Sequence, residues 1–506
     1  MAIDANLYAE FRKHFPPPDA PLLCTPGGRL STYGEAERES ARLAKALTGL
    51  GIAPGARISV QIEKSPEALW LYLACLRAGF VFHPLNPAYT AAELAYFLED
   101  AAPALVVHDP QHEGALAPLC VRLGIAHRLT LGADGRGTLA ALAAAAAPDF
   151  GVVPRAGDDL AALLYSSGTT GRPKGIELTH ANLSVNAEAL TRAWAFTRED
   201  VLLHALPIFH VHGLFIALGC TLMSGSRLIY LPKFEVERVL AALPEASVMM
   251  GVPTYYTRLL ASPAFTAEAA AHVRLWTCGS APLLPETFKA FAARTGQTIV
   301  ERYGMTETGV ITSNPIRGAC KPGAVGRPLA GVEVRLVDDA GVPVATGTIG
   351  HVQVRGPNVC RGYWRRPEKR AEDFTADGFL NTGDDGVFDQ DGYLALVGRA
   401  KDLIITGGLN VYPKEVEAIL DALPGVLESA VIGLPHADFG EEVVAVLVMR
   451  PGAVFDEAAA REAARRQLAG YKQPKRYLLR AALPRNAMGK VQKNVLRDER
   501  AAARDA

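Results

Sequence analysis

No two of the seven cysteines in this sequence form a C-x-x-C pair, and their spacing is irregular. That pattern offers no disulfide framework and no zinc site; the thiols read as reduced and mostly buried, as in a cytoplasmic protein. An excess of either charge is also missing, with 52 Lys and Arg against 53 Asp and Glu. Nucleic acid and membrane surfaces are therefore not expected partners. No uncharged apolar run is long enough to cross a bilayer. Residues 1–20 carry Asp4, Glu10, Arg12, Lys13 and Asp19 without a long apolar core, so a signal peptide is not expected. What remains is a soluble α/β chain whose 506 residues should form more than one domain, since single cores stop growing near about 250–300 residues.

The most informative stretch runs from Leu160 to Gly175. The apolar run Leu160–Tyr165 predicts a buried strand, and Ser166-Ser167-Gly168-Thr169-Thr170-Gly171-Arg172-Pro173-Lys174-Gly175 predicts a loop. Its glycines permit positive φ, and Pro173 removes a backbone donor. Hydroxyls, backbone N–H groups and two cations packed together suit a polyphosphate. Without the strand before it, such a loop would read as a polar surface turn. It is not the P-loop motif, because Arg172 and Pro173 separate Gly171 from Lys174 and Gly175 follows the lysine.

Elsewhere strands and helices alternate. Residues 7–50 open with a helical pattern and continue through Tyr33-Gly34-Glu35 into an amphipathic segment ending near Leu50-Gly51; strand 57–62, helix 65–78, strand 81–85, helix 91–100 and strand 104–108 follow. This order predicts a parallel sheet covered by helices. The alanine-rich segment 139–147 reads as a helix connecting two lobes. The run Leu203–Gly213 carries His204, His210 and His212; a lone histidine there would be an ordinary interior residue, and two make no metal site. Segments 279–283 and 300–308 read as loops at strand ends, where open α/β sheets bind ligands. From Gly331 short alternating strands predict a small antiparallel lobe. After Arg399-Ala400-Lys401 a small α+β domain is expected, giving domains 1–400 and 401–506.

The loop at 165–175 resembles the phosphate loop of the adenylate-forming superfamily: acyl-CoA synthetases, firefly luciferase and peptide-synthetase adenylation domains. Segments 209–213, 279–283, 303–307, 382–384, 398–417 and 484–490 match that superfamily in order, so the resemblance covers essentially the whole chain. It implies a large N-terminal domain of parallel-sheet α/β lobes plus a small β lobe, hinged to a small α+β C-terminal domain. The implied reaction is ATP-dependent acyl adenylation followed by thioester formation with coenzyme A. Glu301-Arg302 before Tyr303-Gly304-Met305-Thr306-Glu307, together with Gly251–Arg258, most resembles malonyl-CoA synthetases.

The same resemblance assigns roles. Ser166, Ser167, Gly168, Thr169, Thr170 and Lys174 would hold phosphates, and Gly279, Ser280, Ala281, Pro282, Glu301 and Tyr303 the adenine side. Asp384 and Arg399 would take the ribose; alone, Asp384 would read as a turn acid. Glu307 would bind Mg²⁺ beside Thr306. Lys490 would bridge the substrate carboxylate and the α-phosphate. Lys401 would be the hinge, and Gly407 and Gly408 would line the pantetheine tunnel. His210, and less centrally His212, would line the acyl pocket, with Arg258 and Arg302 gripping the far carboxylate of a small dicarboxylic acid. The competing reading is that Arg302 pairs with Glu301 or another acid. An aryl- or medium-chain acyl-CoA ligase would need an apolar pocket instead, and a stand-alone adenylation domain would load a carrier protein. The segment Asn314–Gly323 matches nothing closely and leaves methylmalonate open beside malonate.

Overall fold

The computed structural model describes residues 4–166, 173–399, 402–406, 409–436, 439–486 and 489–502. Two large sheets share one continuous hydrophobic core, in which Trp70, Tyr72, Phe80, Trp194 and Tyr230 are buried. The seven-stranded sheet has the order Gly362–Tyr363, Lys174–Thr179, Leu160–Ser166, Val81–Pro84, Arg57–Gln61, Leu105–His108, His127–Thr130. Arg57–Gln61 is parallel to both neighbours, whereas Leu160–Ser166 and Lys174–Thr179 are antiparallel and bracket the phosphate-loop segment.

The nine-stranded sheet runs Arg327–Pro328, Gly309–Ser313, Ile299–Met305, Leu275–Cys278, Val248–Gly251, Val201–His204, Arg227–Tyr230, Pro21–Cys24, Leu30–Thr32. From Ile299–Met305 to Pro21–Cys24 every pairing is parallel. Val248–Gly251 and Leu275–Cys278 are buried along their whole length, as strands covered on both faces must be.

Local chemistry places the helices between the strands. Ser65 Oγ accepts the Ala68 N–H at 3.1 Å and Pro66 opens helix Pro66–Arg77, where its missing donor costs nothing. Thr90 and Glu93 form a reciprocal cap at the start of Ala91–Ala101. Among the described residues no helix is long and apolar enough to cross a membrane.

Within 7–50, strands Pro21–Cys24 and Leu30–Thr32 lie between helices Leu7–Arg12 and Tyr33–Thr48, two strands the sequence reading did not name. Two expectations change. The alanine-rich helix Thr138–Ala144 joins strands of one sheet, not two lobes, because His127–Thr130 and Leu160–Ser166 both belong to the seven-stranded sheet. Residues 300–305 form strand, not loop.

A four-stranded antiparallel sheet follows, in the order Glu333–Val337, Gly350–Arg355, Leu380–Phe388, Leu394–Arg399. Residues beyond 401 build a separate sheet around Gly440–Met449, with helices Pro413–Asp421 and Glu457–Gln467. Its core includes Val431, Val443, Leu447 and Leu420.

Candidate active site

Strand Ile299–Met305 is the axis of the site. Side chains alternate along a strand, so Glu301 and Tyr303 leave one face and Arg302 the other, and all three are buried. Tyr303 donates its hydroxyl proton to Asp384 Oδ2 at 2.6 Å, and Arg399 Nε lies 2.9 Å from Asp384 Oδ1. Asp384 and Arg399 are cross-strand partners in the small sheet. The structure thus brings together a phenol, a carboxylate and a guanidinium predicted from separate segments.

On the opposite face Arg302 has no carboxylate partner among the described residues, and its Nε and Nη2 are buried without hydrogen bonds. The predicted alternative, an Arg302–Glu301 pair, does not form. Burial pulls the Arg302 guanidinium down to about 10, so it stays charged at neutral pH. It presses on Gly279, where an added Cβ would lie 2.8 Å from Nη1 and closer still to Nε and Cζ. A side chain at 279 therefore cannot coexist with this arginine position.

His210 and His212 feel the same guanidinium. Burial and Arg302 bring the His210 imidazole down to about 4, and His212 lies well below its ordinary value for the same two causes. Both are neutral at physiological pH. His210 Nδ1 accepts the His212 N–H at 3.2 Å, and His212 Nδ1 lies 3.2 Å from Ser280 Oγ. Ser280 holds a left-handed backbone, φ +69°, which a non-glycine residue adopts only at some cost.

The turn carrying these histidines is anchored from below by a residue the sequence did not single out. Lys64 Nζ lies 2.7 Å from His204 Nδ1 and donates to His204 O at 2.7 Å and Leu206 O at 3.0 Å. His204 Nε2 in turn reaches Gly213 O at 2.9 Å. Three acceptors match the three hydrogens of an ammonium. A cation without a nearby carboxylate gives no motif signal, which is why it escapes sequence reading.

Glu307 is buried in the turn between Ile299–Met305 and Gly309–Ser313. Burial raises its carboxyl to about 6, while its own backbone N–H and the charges of Arg399 and Lys174 oppose the rise. Lys174 Nζ stands 3.9 Å from Asp373. The described residues contain no group of three His, Cys, Asp or Glu able to hold a metal. A single buried carboxylate between cations that attract phosphates fits Mg²⁺, which takes most of its ligands from phosphate and water. Thr306 and Ser166 are half-buried. Ser167, Gly168, Thr169, Thr170, Lys401, Gly407 and Gly408 lie outside the described residues.

Two predicted residues fare differently. Arg258, on helix Pro253–Ala261, is exposed and makes no hydrogen bond or ion pair among the described residues. Lys490 is half-buried; its neighbour Gly489 comes within 3.4 Å of Thr254 Cγ2, measured to a Cβ built on the glycine. Thr254 is the second residue of the helix that carries Arg258. Ala281 is half-buried and Pro282 exposed at the mouth of the Gly279 turn.

Comparison with known proteins places this geometry. The family model described as AMP-binding enzyme matches residues 12–364, and that of the AMP-binding enzyme C-terminal domain matches residues 415–490. The ATP-bound structure of MatB from Rhodopseudomonas palustris is 50% identical, covers 98% of this chain and 99% of its own, and superposes with a TM-score of 0.96. The apo form of that protein, over the same shares, gives 0.86. The mitochondrial malonate–CoA ligase of Mus musculus is 37% identical over 456 residues, 83% of this chain and 77% of that one. The sulfoacetate–CoA ligase of Cupriavidus necator is 36% identical over 485 residues, 94% of each chain.

Proposed function

Because the chain belongs to the AMP-binding enzyme family, we propose that it is an acid–thiol ligase that activates malonate with ATP and transfers the acyl group to coenzyme A. The observation that carries the substrate is Arg302: a buried guanidinium with no carboxylate partner among the described residues, facing two neutral histidines. A diacid supplies the missing anion with its far carboxylate, whereas a fatty or aromatic acid would leave the charge unmatched. Two relatives are named for malonate and for sulfoacetate, both short acids with a second anionic group. Methylmalonate keeps both carboxylates and is the natural second substrate to compare.

The near carboxylate attacks the α-phosphorus of ATP; the bond to the bridging oxygen breaks and pyrophosphate leaves. The thiolate of coenzyme A then attacks the acyl carbon and AMP departs. The first step brings anions together, so fixed cations must offset the repulsion. Lys174 and the segment beside it serve the departing phosphates, Lys490 the carboxylate and α-phosphate, and Asp384 with Arg399 the ribose. Gly279, Ser280, Ala281, Pro282 and Tyr303 flank the adenine. Glu307 is the residue that would hold Mg²⁺, whose charge would neutralise phosphate oxygens when bound. Lys401 would act as the hinge, with Gly407 and Gly408 along the pantetheine path. Seven free cysteines, five of them buried, suit a reducing cytoplasm.

The test is pyrophosphate release with malonate, methylmalonate, acetate and benzoate, each with free coenzyme A as acceptor. Malonate should lead, and acetate should be rejected strongly because it leaves Arg302 unpaired. Preference for acetate or benzoate would reject the substrate, and preference for a carrier protein over free coenzyme A would reject the acceptor.

A further inference from the structure

Glu301 is a buried acid without an assigned counter-charge. Its Oε1 accepts the Leu283 N–H at 3.4 Å, and its Oε2 has no hydrogen-bond partner. Its strand neighbour Arg302 points the other way. Lys414, from the sheet-and-helix unit beyond residue 401, stands in the first turn of helix Pro413–Asp421. Its Nζ donates to Leu396 O at 2.7 Å. Leu396 belongs to Leu394–Arg399, the strand that also presents Arg399 to Asp384. One C-terminal cation is therefore seated on an N-terminal strand.

Three carboxylates act on Lys414: Glu301, Glu417 and Asp384. Two are already engaged. Lys493 Nζ is 2.5 Å from Glu417, which also accepts the Val431 N–H, and Asp384 holds Arg399 and Tyr303. Of the three, only Glu301 has a fully buried oxygen without a partner among the described residues. Burial pushes the Glu301 carboxyl up to about 7, and Lys414 is the charge that draws it back. Burial pushes the Lys414 ammonium down, and Glu301 heads the charges that draw it back.

We propose that Lys414 is a positioning residue for adenylation: facing Glu301 and bonded to Leu396, it holds the C-terminal unit in the orientation that presents Lys490 to the acyl site. The inference rests on the ligase reading above. Its physical basis is the asymmetry of buried charge. Any orientation that lifts helix Pro413–Asp421 from strand Leu394–Arg399 takes this cation away from Glu301, which disfavours that orientation. The latch is thus electrostatic and releasable, and it bears on one half-reaction only.

The experiment separates the half-reactions in Lys414→Met, Lys414→Arg, Glu301→Gln and the Lys414→Met/Glu301→Gln double variant. Malonate-dependent pyrophosphate exchange should fall about tenfold or more in Lys414→Met. Thioester formation from supplied malonyl-adenylate should stay within about twofold. Lys414→Arg should recover most of the exchange, and the double variant should adenylate no more slowly than Lys414→Met alone. Small-angle X-ray scattering without substrate should show the Lys414→Met profile moving away from the wild-type one. Equal loss in both half-reactions, undiminished exchange, or an unchanged scattering profile in Lys414→Met would overturn the latch. Absence of malonate-dependent exchange in the wild-type chain would instead overturn the ligase reading, and the scattering comparison still judges the latch.

Discussion

The guanidinium of Arg302 occupies the place where a side chain at Gly279 would begin. Two segments distant in sequence are thereby locked to each other, one supplying the charge and the other the vacancy it needs. Gly279→Ala should displace Arg302 at a cost of about 1–3 kcal/mol, the usual range for overpacking. Steady-state kinetics should register this as a higher KM for malonate.

Replacing the charge is the sharper experiment. Arg302→Met should cost about 3–5 kcal/mol of malonate recognition, since it strips a buried carboxylate of its partner. Acetate turnover should not suffer in parallel, so the malonate-to-acetate ratio of kcat/KM should collapse. Arg302→Lys should recover only part of the loss, because an ammonium lacks the planar fork.

Asp384 sits between Tyr303 and Arg399, at 2.6 and 2.9 Å. Asp384→Asn should weaken ATP binding by about 1.5–3 kcal/mol, the range for hydrogen bonds to charged groups. Tyr303→Phe removes one donor to the same carboxylate but leaves its charge and Arg399 in place, so its loss should lie at the lower end of that range, about 1.5 kcal/mol. Calorimetric titration with ATP distinguishes the two.

Acidification should switch off adenylation through Glu307. Its carboxyl is raised from 4.5 to about 6 by burial, so below about 6 it is protonated and a poor ligand for a cation. The rate should rise with pH through that value, and more Mg²⁺ should move the limb to lower pH. Glu307→Gln should remove the limb along with most of the activity. The stability sign is opposite. Between 4.5 and about 6 the folded chain holds a proton the unfolded chain has released, so this group's contribution to stability declines as pH rises.

Lys490→Ala should suppress malonate-dependent pyrophosphate exchange by about a hundredfold or more, on the scale of losing one transition-state donor. Thioester formation from supplied acyl-adenylate should survive. Equal loss in both steps would remove Lys490 from its assigned role.

Much of this arrangement was legible in the sequence, because motif order fixes which strand ends carry which groups. Glu307, Asp384, Arg399 and Arg302 were singled out that way; the structure pairs Asp384 with Arg399 and buries Glu307 and Arg302. Strand alternation at 301–303 was not, since five consecutive buried residues, 299–303, give no period to read. That is why Glu301 and Arg302 were candidates for a pair they do not form. Arg258 shows the reverse limit: its sequence context matched, yet its position on Pro253–Ala261 leaves it exposed. Lys64 and Lys414 were invisible because each is stabilised by backbone carbonyls or by residues far away in sequence.

Tyr303 and Asp384 belong to different sheets, and those sheets are stitched together where Val325 N–H meets Leu394 O and Leu394 N–H meets Gly326 O, each at 2.8 Å. The ribose contact therefore depends on a seam rather than on either sheet alone. A chain divided between residues 314 and 332 would leave each fragment with one wall of the nucleotide cleft. Neither piece should retain ATP until the two reassociate.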